Sequence, residues 1–260
     1  MLIPRITPCL LIQNGRLVKT RRFTDAKYVG DPINAVRIFN EKEVDELIVL
    51  DISATVEQLE PNYNLIAKLA NECRMPLAYG GGVTTHEQIE RIIGLGVEKV
   101  SISASAVSAS ALISVAAERI GCQSIVVVID VKKTGVFRRY EVVTHNGTRR
   151  TGLDPINFAQ ELQNLGAGEI ILNSVDLDGE MKGYDLELIS KVAKNIRVPV
   201  TALGVAGSLD DVASLWETQG MIAAAAGSLF VFKGKYKAVL INYPNEREKL
   251  ATLTKAGWQE

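Results

Sequence analysis

The chain has 260 residues, of which 47% are hydrophobic and 23% charged, a composition typical of one or at most two compact domains. Its net charge is −1, so no overall positive field is present to hold nucleic acid or an anionic membrane, and neither is an expected partner. Three cysteines without metal-ligand spacing exclude a disulfide scaffold and predict no metal site. Because the apolar runs are too short to span a bilayer and the first residues lack the order of a secretory signal, we expect a cytoplasmic protein.

Eight short apolar runs predict eight strands, and the stretches between them, with apolar residues at three- and four-residue spacing, predict seven helices. Helices that follow strands force parallel pairing, and continuously apolar strands are typical of a sheet covered on both faces. The predicted strands are RITPCLLI, DELIVLDIS, MPLAYGGG, EKVSISAS, SIVVVIDV, GEIILNSVD, VPVTALGV and MIAAAAGSLF. The predicted helices are INAVRIFNEKE, YNLIAKLANE, HEQIERIIGLG, ALISVAAERIG, PINFAQELQNLG, DLELISKVAKN and SLDDVASLWETQG.

Eight such units in about 250 residues fit a closed (β/α)₈ barrel. The alternative, an open doubly wound sheet, normally carries a Gly-rich turn after its first strand, and PCLLIQNGR has none. The chain also repeats itself, since Asp51 and Asp176 end corresponding strands 125 residues apart. We therefore predict a single domain, residues 1–260, built of two half-barrels at about 1–123 and 124–260.

Glycines at the carboxyl ends of strands let backbone amides approach an anion, although tight turns need glycines just as often. The third and seventh predicted strands end in glycines, and the eighth ends in Ala-Gly-Ser ahead of a short helix whose amino terminus can complete a phosphate cup. Two such cups predict a substrate with a phosphate at each end. The pair Asp178-Gly179 is typical of a turn, and we expect the loop that contains it to fold back over the site. The predicted phosphate-binding residues are Gly81, Gly82, Ser103, Asp178, Gly179, Gly204, Gly207, Gly227 and Ser228.

Asp130 is the strongest catalytic candidate in the chain. It closes the apolar run SIVVVID, where burial can raise the pKa of a carboxyl group toward catalytic use. Because Lys132 and Lys133 follow it, a simple pair between the carboxylate and a neighbouring lysine is the alternative.

The segment GRLVKTRRFTDAKYVGDP is long, basic and bounded by Gly and Pro. It predicts either a mobile lid that brings Lys19 over an anionic substrate or an ordinary solvated loop. His86 and His145 lie in polar stretches that predict a helix start and a hairpin, and neither is assigned a role. We interpret Cys9, inside RITPCLLI, as a small buried hydrophobe and not as a nucleophile.

Motifs from one end of the chain to the other resemble a known family. RITPCL, ELIVLDISA, YGGG, VVVIDVK, GAGEIIL, SVDLDG and AAGSLF are similar to the cyclase subunit of imidazole glycerol phosphate synthase. The resemblance implies a (β/α)₈ barrel that receives ammonia from a glutaminase partner through its core. It also implies conversion of a bis-phosphorylated ribulosyl substrate into imidazole glycerol phosphate and an aminoimidazole carboxamide ribotide, without a cofactor. The chain is then a lyase-type synthase subunit of a glutamine-dependent amidotransferase complex.

The resemblance also implies roles for single residues. It assigns Asp130 as general acid and base, Lys19 as the lysine of a flexible lid and Asp51 as a further strand-end acid. At the amino-terminal end of the barrel it implies a charged gate for ammonia. The gate residues are Arg5, Glu46, Lys99 and Glu169. Two bases and two acids can neutralise one another at the floor of an apolar barrel, where an unpaired charge is costly.

The opposite end departs from the family pattern. The family's PCLD ends in a catalytic Asp, whereas this chain reads PCLL and places Leu11 there; losing a general acid or base removes a factor of about 10² to 10⁴ in rate. Ser103-Ala104 replaces Asn-Thr, Val205 replaces a glycine and Glu180 replaces a Thr. We expect Glu180 and Val205 to oppose phosphate by charge and bulk, and changes confined to one face predict an altered substrate.

The runs YVGDPINAVRIFNEKEVDELIVLDI and GKYKAVLINYP, with the LL after the first strand, are similar to a divergent branch of the family found in surface-polysaccharide gene sets. In that branch the barrel pairs with a glutaminase and passes ammonia to a separate amidotransferase that acts on a sugar. We therefore expect an ammonia-conducting subunit with weakened cyclase chemistry. The alternatives are a genuine cyclase of histidine biosynthesis, a non-catalytic scaffold barrel, and a phosphosugar isomerase, which Leu11 disfavours as much as it does a cyclase.

Overall fold

Eight parallel strands alternate with helices and close on one another in the computed structural model, which describes residues 4–258. The last barrel strand pairs with the first, Ala224 opposite Ile6, so the ring has no open edge. The barrel strands are β1 (Ile6–Gln13), β4 (Leu47–Asp51), β5 (Leu77–Gly80), β6 (Lys99–Ile102), β7 (Ile125–Thr134), β10 (Glu169–Ser174), β11 (Val200–Gly204) and β12 (Ala223–Ala226). The closed (β/α)₈ barrel is confirmed, and the open doubly wound sheet is excluded.

Both faces of the strands are covered, which is why their sequences are continuously apolar. Outward side chains join the helices in one large core. Inward side chains form a second, smaller cluster inside the barrel. Its buried members are Cys9, Ile48, Ala78, Val126, Val128, Ile171, Leu203 and Ala225, and Leu11 and Leu50 pack against it.

All seven predicted helices form. They are α1 (Pro32–Glu41), α2 (Tyr63–Glu72), α3 (His86–Gly94), α5 (Ala111–Ile120), α6 (Pro155–Asn164), α7 (Leu186–Ala193) and α8 (Leu209–Gln219). Their starts are fixed by local chemistry: Asp31 caps α1 and Asp154 caps α6, each ahead of a proline in the first turn. Thr85 and Ser208 form capping boxes on α3 and α8.

Several further elements have no range in the sequence prediction, although the sequence predicts a short helix after the eighth strand and a hairpin at His145. They are β2 (Arg16–Arg21), β3 (Thr24–Gly30), β8 (Arg139–Thr144), β9 (Arg149–Arg150), β13 (Phe232–Lys233), β14 (Ala238–Val239), α4 (Ala104–Ser108), α9 (Ser228–Val231) and α10 (Glu246–Lys255), with a 3₁₀ turn at Cys122–Ser124. The terminal helix α10 has a short apolar face, with only Thr252 and Leu253 buried, so its helical pattern is weak.

Two antiparallel hairpins extend the barrel at its carboxyl-terminal end. Strand β1 continues into β2 and β3, and β7 continues into β8 and β9. The long basic segment after the first strand is therefore a hairpin and not an irregular loop. Within residues 4–258, no helix combines the length and apolar character needed to cross a lipid bilayer.

Candidate functional site

A cavity of about 120 Å³ opens at the carboxyl ends of the barrel strands. This end, which we call the mouth, is where barrel enzymes assemble their active sites. Each of the eight barrel strands contributes to it, through residues of its carboxyl-terminal half or through the loop that follows. The polar and charged lining residues include Lys19, Thr20, Asp51, Ser103, Asp130, His145, Asn146, Asn173 and Asp178.

Asp130 lies in the middle of β7, where the strand begins to pair with β8, and it lines this cavity. Asn173 Nδ2 donates a hydrogen bond of 3.1 Å to its Oδ1, and Ser103 Oγ lies 3.5 Å from its Oδ2. Burial is the largest influence on the group and raises its pKa from 3.8 to about 7, although the bond from Asn173 opposes the rise. The carboxyl group therefore exchanges a proton near neutral pH, which suits a general acid or base.

The alternative reading of Asp130, a pair with a neighbouring lysine, is wrong. Lys133 Nζ lies instead 3.9 Å from Asp185 and over the ring of Tyr140. The hydrogen bonds of the Asp130 carboxylate, within the described chain, come from Asn173 and Ser103.

Lys19 is buried and holds Asp178 across the mouth. Its Nζ lies 3.0 Å from both oxygens of Asp178 and donates a further bond of 2.9 Å to the Thr20 carbonyl. The aliphatic part of Lys19 crosses Gly227 at the end of β12, where an added Cβ would lie 2.9 Å from Lys19 Cε. A side chain at this position would therefore press on the buried lysine, which favours glycine there.

Asp51 orders the loop after β4. Its Oδ1 accepts hydrogen bonds from the Ser53 amide at 3.0 Å, the Ser53 hydroxyl at 2.8 Å and the Ala54 amide at 3.2 Å. The Asp51 side chain also lines the cavity. One of its oxygens is therefore committed to the loop, which is the ordinary behaviour of an Asp that starts a turn.

Leu11 fills the position beside β4 with hydrocarbon, together with Leu50 and Cys9. Burial raises the pKa of the Cys9 thiol to about 12, so Cys9 is a buried hydrophobe, as interpreted from the sequence.

The glycines of the predicted cups are not equivalent. A Cβ on Gly81 would lie 2.5 Å from the Asp51 carbonyl, and one on Gly82 would lie 2.5 Å from the Leu59 carbonyl, so close backbone approach requires both. At Gly204 the atom nearest to an added Cβ is instead a side-chain oxygen, Asn173 Oδ1, at 2.9 Å. Ser228 is buried at the start of α9, beside Gly227.

Gly207 departs from the prediction. Its amide donates a 2.8 Å hydrogen bond to Asp211, whose carboxylate completes the capping box of α8 and also accepts from the Ser208 amide. The amide is therefore engaged by the helix and is not free to hold a phosphate.

The expectation that Glu180 and Val205 oppose phosphate is also corrected. Val205 is 1% exposed and does not line the cavity. Glu180 is bound by Arg21, whose Nε and Nη2 lie 2.8 and 2.9 Å from its two oxygens, and by Arg22 at 2.9 Å. The hydrogen bond from Arg21 lowers the pKa of Glu180 to about 2. Its negative charge is thus present but matched by cations.

At the opposite end of the barrel, four charges form a closed ring that we call the floor ring. Arg5 contacts Glu46 and Glu169 at 2.9 Å each, and Lys99 contacts the same two acids at 2.7 and 2.8 Å. Burial opposes ionisation of Glu169, but the charges of Arg5 and Lys99 outweigh it and lower the pKa of Glu169. The four residues named from the resemblance therefore meet in space.

The sequence patterns predicted no role for three residues that line the mouth, Asn173, His145 and Asn146. Asn173 pairs in register with Asp130 on the neighbouring strand, so its position at the end of GEIILN could have drawn attention to it. His145 and Asn146 reach the cavity from the turn between β8 and β9, and Asn146 Nδ2 bonds the Ile52 carbonyl at 3.0 Å. The predicted hairpin at His145 and helix start at His86 are confirmed. In residues 4–258, no group of three or more His, Cys, Asp or Glu could hold a metal.

Comparisons with known proteins agree with this architecture. The model of a family described as histidine biosynthesis protein matches residues 5–237. A Leptospira interrogans protein named "Putative imidazole glycerol phosphate synthase subunit HisF" is 56% identical over 96% of this chain and 99% of its own length. An Alkaliphilus metalliredigens protein named imidazole glycerol phosphate synthase subunit HisF is 40% identical over 88% of this chain and 91% of its own length. The chain belongs to the histidine biosynthesis protein family, among relatives named as HisF subunits of imidazole glycerol phosphate synthase.

Proposed function

We propose that this chain is an ammonia-conducting, synthase-type subunit of a glutamine-dependent amidotransferase complex. A glutaminase partner supplies ammonia at the floor ring, and the ammonia leaves at the mouth for an acceptor other than the ribulosyl substrate of a cyclase. The acceptor is a sugar of surface-polysaccharide biosynthesis, aminated by a separate amidotransferase. The observation that carries the proposal is the contrast between an intact floor ring and a hydrocarbon, Leu11, in the cavity that Asp130 also lines.

The floor ring supports the supply side. Two cations and two carboxylates satisfy one another at 2.7 to 2.9 Å, so the floor carries no unpaired charge that would attract water or ions. Above it the inward side chains are small or apolar. A neutral molecule such as ammonia crosses such an interior at far lower cost than ammonium, whose charge would lose its hydration.

The mouth supports the weakened chemistry. A cyclase of the resembled family opposes two carboxylates, of which this chain keeps Asp130. Asp178 does not serve as a free second base, because Lys19 binds both of its oxygens. Asp51 has one oxygen committed to its loop. With Leu11 unable to move a proton, the expected loss is a factor of about 10² to 10⁴ in rate.

The choice of a sugar acceptor rests on the resemblance to the polysaccharide-associated branch. The second candidate, a genuine cyclase in histidine biosynthesis, is favoured by one observation, the raised pKa of Asp130, which suits a lone acid and base. Leu11→Asp separates the two candidates.

The first experiment measures formation of imidazole glycerol phosphate from the bis-phosphorylated ribulosyl substrate and ammonium chloride. We expect slow turnover by the wild type and a gain of about 100-fold or more in Leu11→Asp, because the variant restores a second proton-transfer group. Leu11→Asn is the matched control, because asparagine has nearly the same shape as aspartate but carries no acidic group. If the wild type forms imidazole glycerol phosphate at a rate normal for a cyclase, and Leu11→Asp does not raise that rate, the chain is a genuine cyclase and the proposal is contradicted.

The second experiment tests the supply side with a purified glutaminase subunit. We expect the chain to bind it and to stimulate glutamine hydrolysis. Binding without stimulation would instead support the third reading, a scaffold barrel.

A further inference from the structure

Two segments that lie 210 residues apart in the chain meet beside the mouth. One is strand β3, which carries Lys27 and Tyr28, and the other is the hairpin of β13 and β14 that follows α9. Lys27 joins them, because its Nζ donates a 2.9 Å hydrogen bond to the Lys237 carbonyl and lies 5.0 Å from the centre of the Phe232 ring. The two segments are therefore in direct contact.

Large apolar side chains on both segments are open to solvent. Tyr28 is 60% exposed, Tyr236 89%, Val239 43% and Leu240 50%. Single exposed apolar residues are ordinary on a protein surface, but four of them on two joined segments are typical of a surface that binds a partner. We call these segments the hairpin patch, defined by Lys27, Tyr28, Lys233, Lys235, Tyr236, Lys237, Val239 and Leu240.

The hairpin patch is also basic. Its hairpin contributes Lys233, Lys235 and Lys237 without any acidic residue, and Lys27 adds a fourth cation from β3. In the part of the chain that the structure describes, none of these four lysines forms a salt bridge. Because the net charge of the whole chain is −1, the patch is a local excess of positive charge, and a surface that covers it should supply carboxylates.

The hairpin patch borders the mouth. The hairpin of β2 and β3 supplies Lys19, Thr20 and Phe23 to the lining of the cavity, and Lys27 pairs in register with Lys19. Gly227 also lines the cavity, and β13 begins directly after the short helix α9 that follows this glycine. A protein bound to the patch therefore lies next to the opening of the cavity.

Charge and position favour one kind of occupant. A second copy of this chain in a symmetric contact would place the lysines of the patch against one another, which opposes association. An anionic lipid surface would match the charge, but it would cover the opening and contains no group that accepts ammonia. Ammonia that escapes into water is protonated and loses its nucleophilic electron pair, so the protein that uses it has to close over the opening.

We propose that the hairpin patch is the docking surface for the amidotransferase that consumes the ammonia. This partner contacts the four lysines with an acidic surface and receives Tyr28 and Tyr236 in apolar pockets. The glutaminase binds at the floor ring, at the opposite end of the barrel, so both proteins can be bound at once. The inference deepens the proposed function and rests on it for the direction in which ammonia travels.

The test measures binding of this chain, in complex with the glutaminase, to the purified sugar amidotransferase of the same organism by biolayer interferometry. We expect the Kd to rise about 10-fold or more in Tyr236→Ala, because tyrosines often anchor protein interfaces. Lys235→Glu should weaken binding as well, because the new charge repels an acidic surface. Added salt should weaken binding of the wild type more than binding of Lys235→Glu.

Phe137→Ala and Arg138→Glu are the matched controls. They make the same kinds of change at the tip of the hairpin of β7 and β8, where Phe137 is 83% exposed and Arg138 is also exposed. We expect both controls to bind as the wild type does. Equal losses at the two hairpins, or wild-type affinity in both Tyr236→Ala and Lys235→Glu, would overturn the proposal.

Two further measurements examine the other occupants. Flotation with phosphatidylglycerol vesicles examines a lipid surface, and sedimentation velocity examines a second copy. If Tyr236→Ala abolishes vesicle binding or dissociates a dimer but leaves the affinity for the amidotransferase unchanged, the patch belongs to that other occupant and the proposal is wrong.

Transfer of nitrogen from amide-labelled glutamine to the sugar, in a mixture of the three proteins, separates this inference from the proposed function. We expect Tyr236→Ala to stimulate glutamine hydrolysis as the wild type does, but to release more of the ammonia into solution. Wild-type transfer by Tyr236→Ala would overturn the docking surface and leave the proposed function in place. If the wild type itself transfers no nitrogen and does not bind the amidotransferase, the proposed function fails and the docking surface fails with it.

Discussion

At the scale of single residues, Asp130 is distinguished by its surroundings and not by its neighbours in sequence. It is half-buried in the middle of β7 and has two polar contacts, from Asn173 and Ser103. Desolvation of the charged form outweighs these contacts, which explains why its pKa rises to about 7. The same residue type at Asp178, with Lys19 at 3.0 Å, has a charged partner instead.

The raised pKa of Asp130 predicts a pH dependence of stability. Between pH 3.8 and about 7 the folded state holds a proton that the unfolded state has lost, so the free energy of unfolding falls as the pH rises through this window. Asp130→Asn has no carboxyl group to ionise, so its free energy of unfolding does not fall in this window. At pH 8 it should exceed that of the wild type by about 2 to 4 kcal/mol, whereas at pH 4 it should not exceed it. Urea unfolding at both pH values measures the difference.

Asp210→Asn is the control for this measurement, because Asp210 is an exposed partner of Lys255. Its effect should be small at both pH values. If Asp130→Asn shows the same difference from the wild type at pH 4 and pH 8, burial does not act on Asp130 as described.

At the scale of elements, the hairpin of β2 and β3 is fastened to the loop after β10. The fastening consists of the Lys19–Asp178 and Arg21–Glu180 pairs and the bond from the Arg22 amide to the Asp178 carbonyl. The hairpin turn itself is strained, with positive φ at Arg22, Phe23 and Asp25. The contacts with the loop therefore offset a local cost, and they hold in place the segment for which the sequence predicts a lid or a solvated loop.

Gly179 makes this fastening possible, which gives a second prediction. Its φ is +71°, and an added Cβ would lie 2.6 Å from the Thr20 carbonyl of the hairpin. Gly179→Ala should therefore cost about 2 kcal/mol more in free energy of unfolding than the left-handed conformation alone explains. Chemical denaturation measures this value, and hydrogen exchange should show faster exchange in β2 and β3.

Gly15→Ala separates the two causes. Gly15 has nearly the same φ, +72°, but no atom lies within 4 Å of an added Cβ. Its loss should be about 1 kcal/mol. Equal losses in the two variants would show that the approach of the hairpin to the loop is not what requires Gly179.

At the scale of the whole molecule, the barrel has two unlike ends joined by an apolar interior. The floor ring pairs all of its four charges, whereas the mouth combines a buried acid, a buried ion pair and the hydrocarbon of Leu11. This separation lets one end change its chemistry without loss of the other, since the residues of the two ends lie at opposite ends of the same strands.

The floor ring gives a third prediction. Lys99→Met leaves two buried carboxylates that share Arg5, so the free energy of unfolding at pH 7 should fall by about 2 to 4 kcal/mol. The pKa of Glu169 is lowered in the wild type, so this stabilisation exists above the ordinary glutamate pKa and is lost in acid. The difference between Lys99→Met and the wild type should therefore shrink at pH 4, as followed by urea unfolding.

Lys191→Met is the control, since it removes a lysine from an exposed pair with Glu187. Its effect should stay within about 0.5 kcal/mol. In the glutaminase complex, Lys99→Met should also release more ammonia into solution per glutamine hydrolysed. A variant that is as stable and as tightly coupled as the wild type would contradict the role of the ring.

The sequence by itself determined the barrel, its strands and its main helices, because periodicity and helix caps are local properties that survive any tertiary arrangement. It also placed Asp130 and the glycines at strand ends, since strand ends follow from the strands. Only the tertiary structure decided what each charge meets. Glu180 pairs with Arg21, which is 159 residues away in the chain, and Asp178 pairs with Lys19. Asp130 accepts a hydrogen bond from Asn173 and does not pair with Lys133. These partners lie far apart in the chain and are brought together only when the barrel closes, so local sequence patterns do not indicate them.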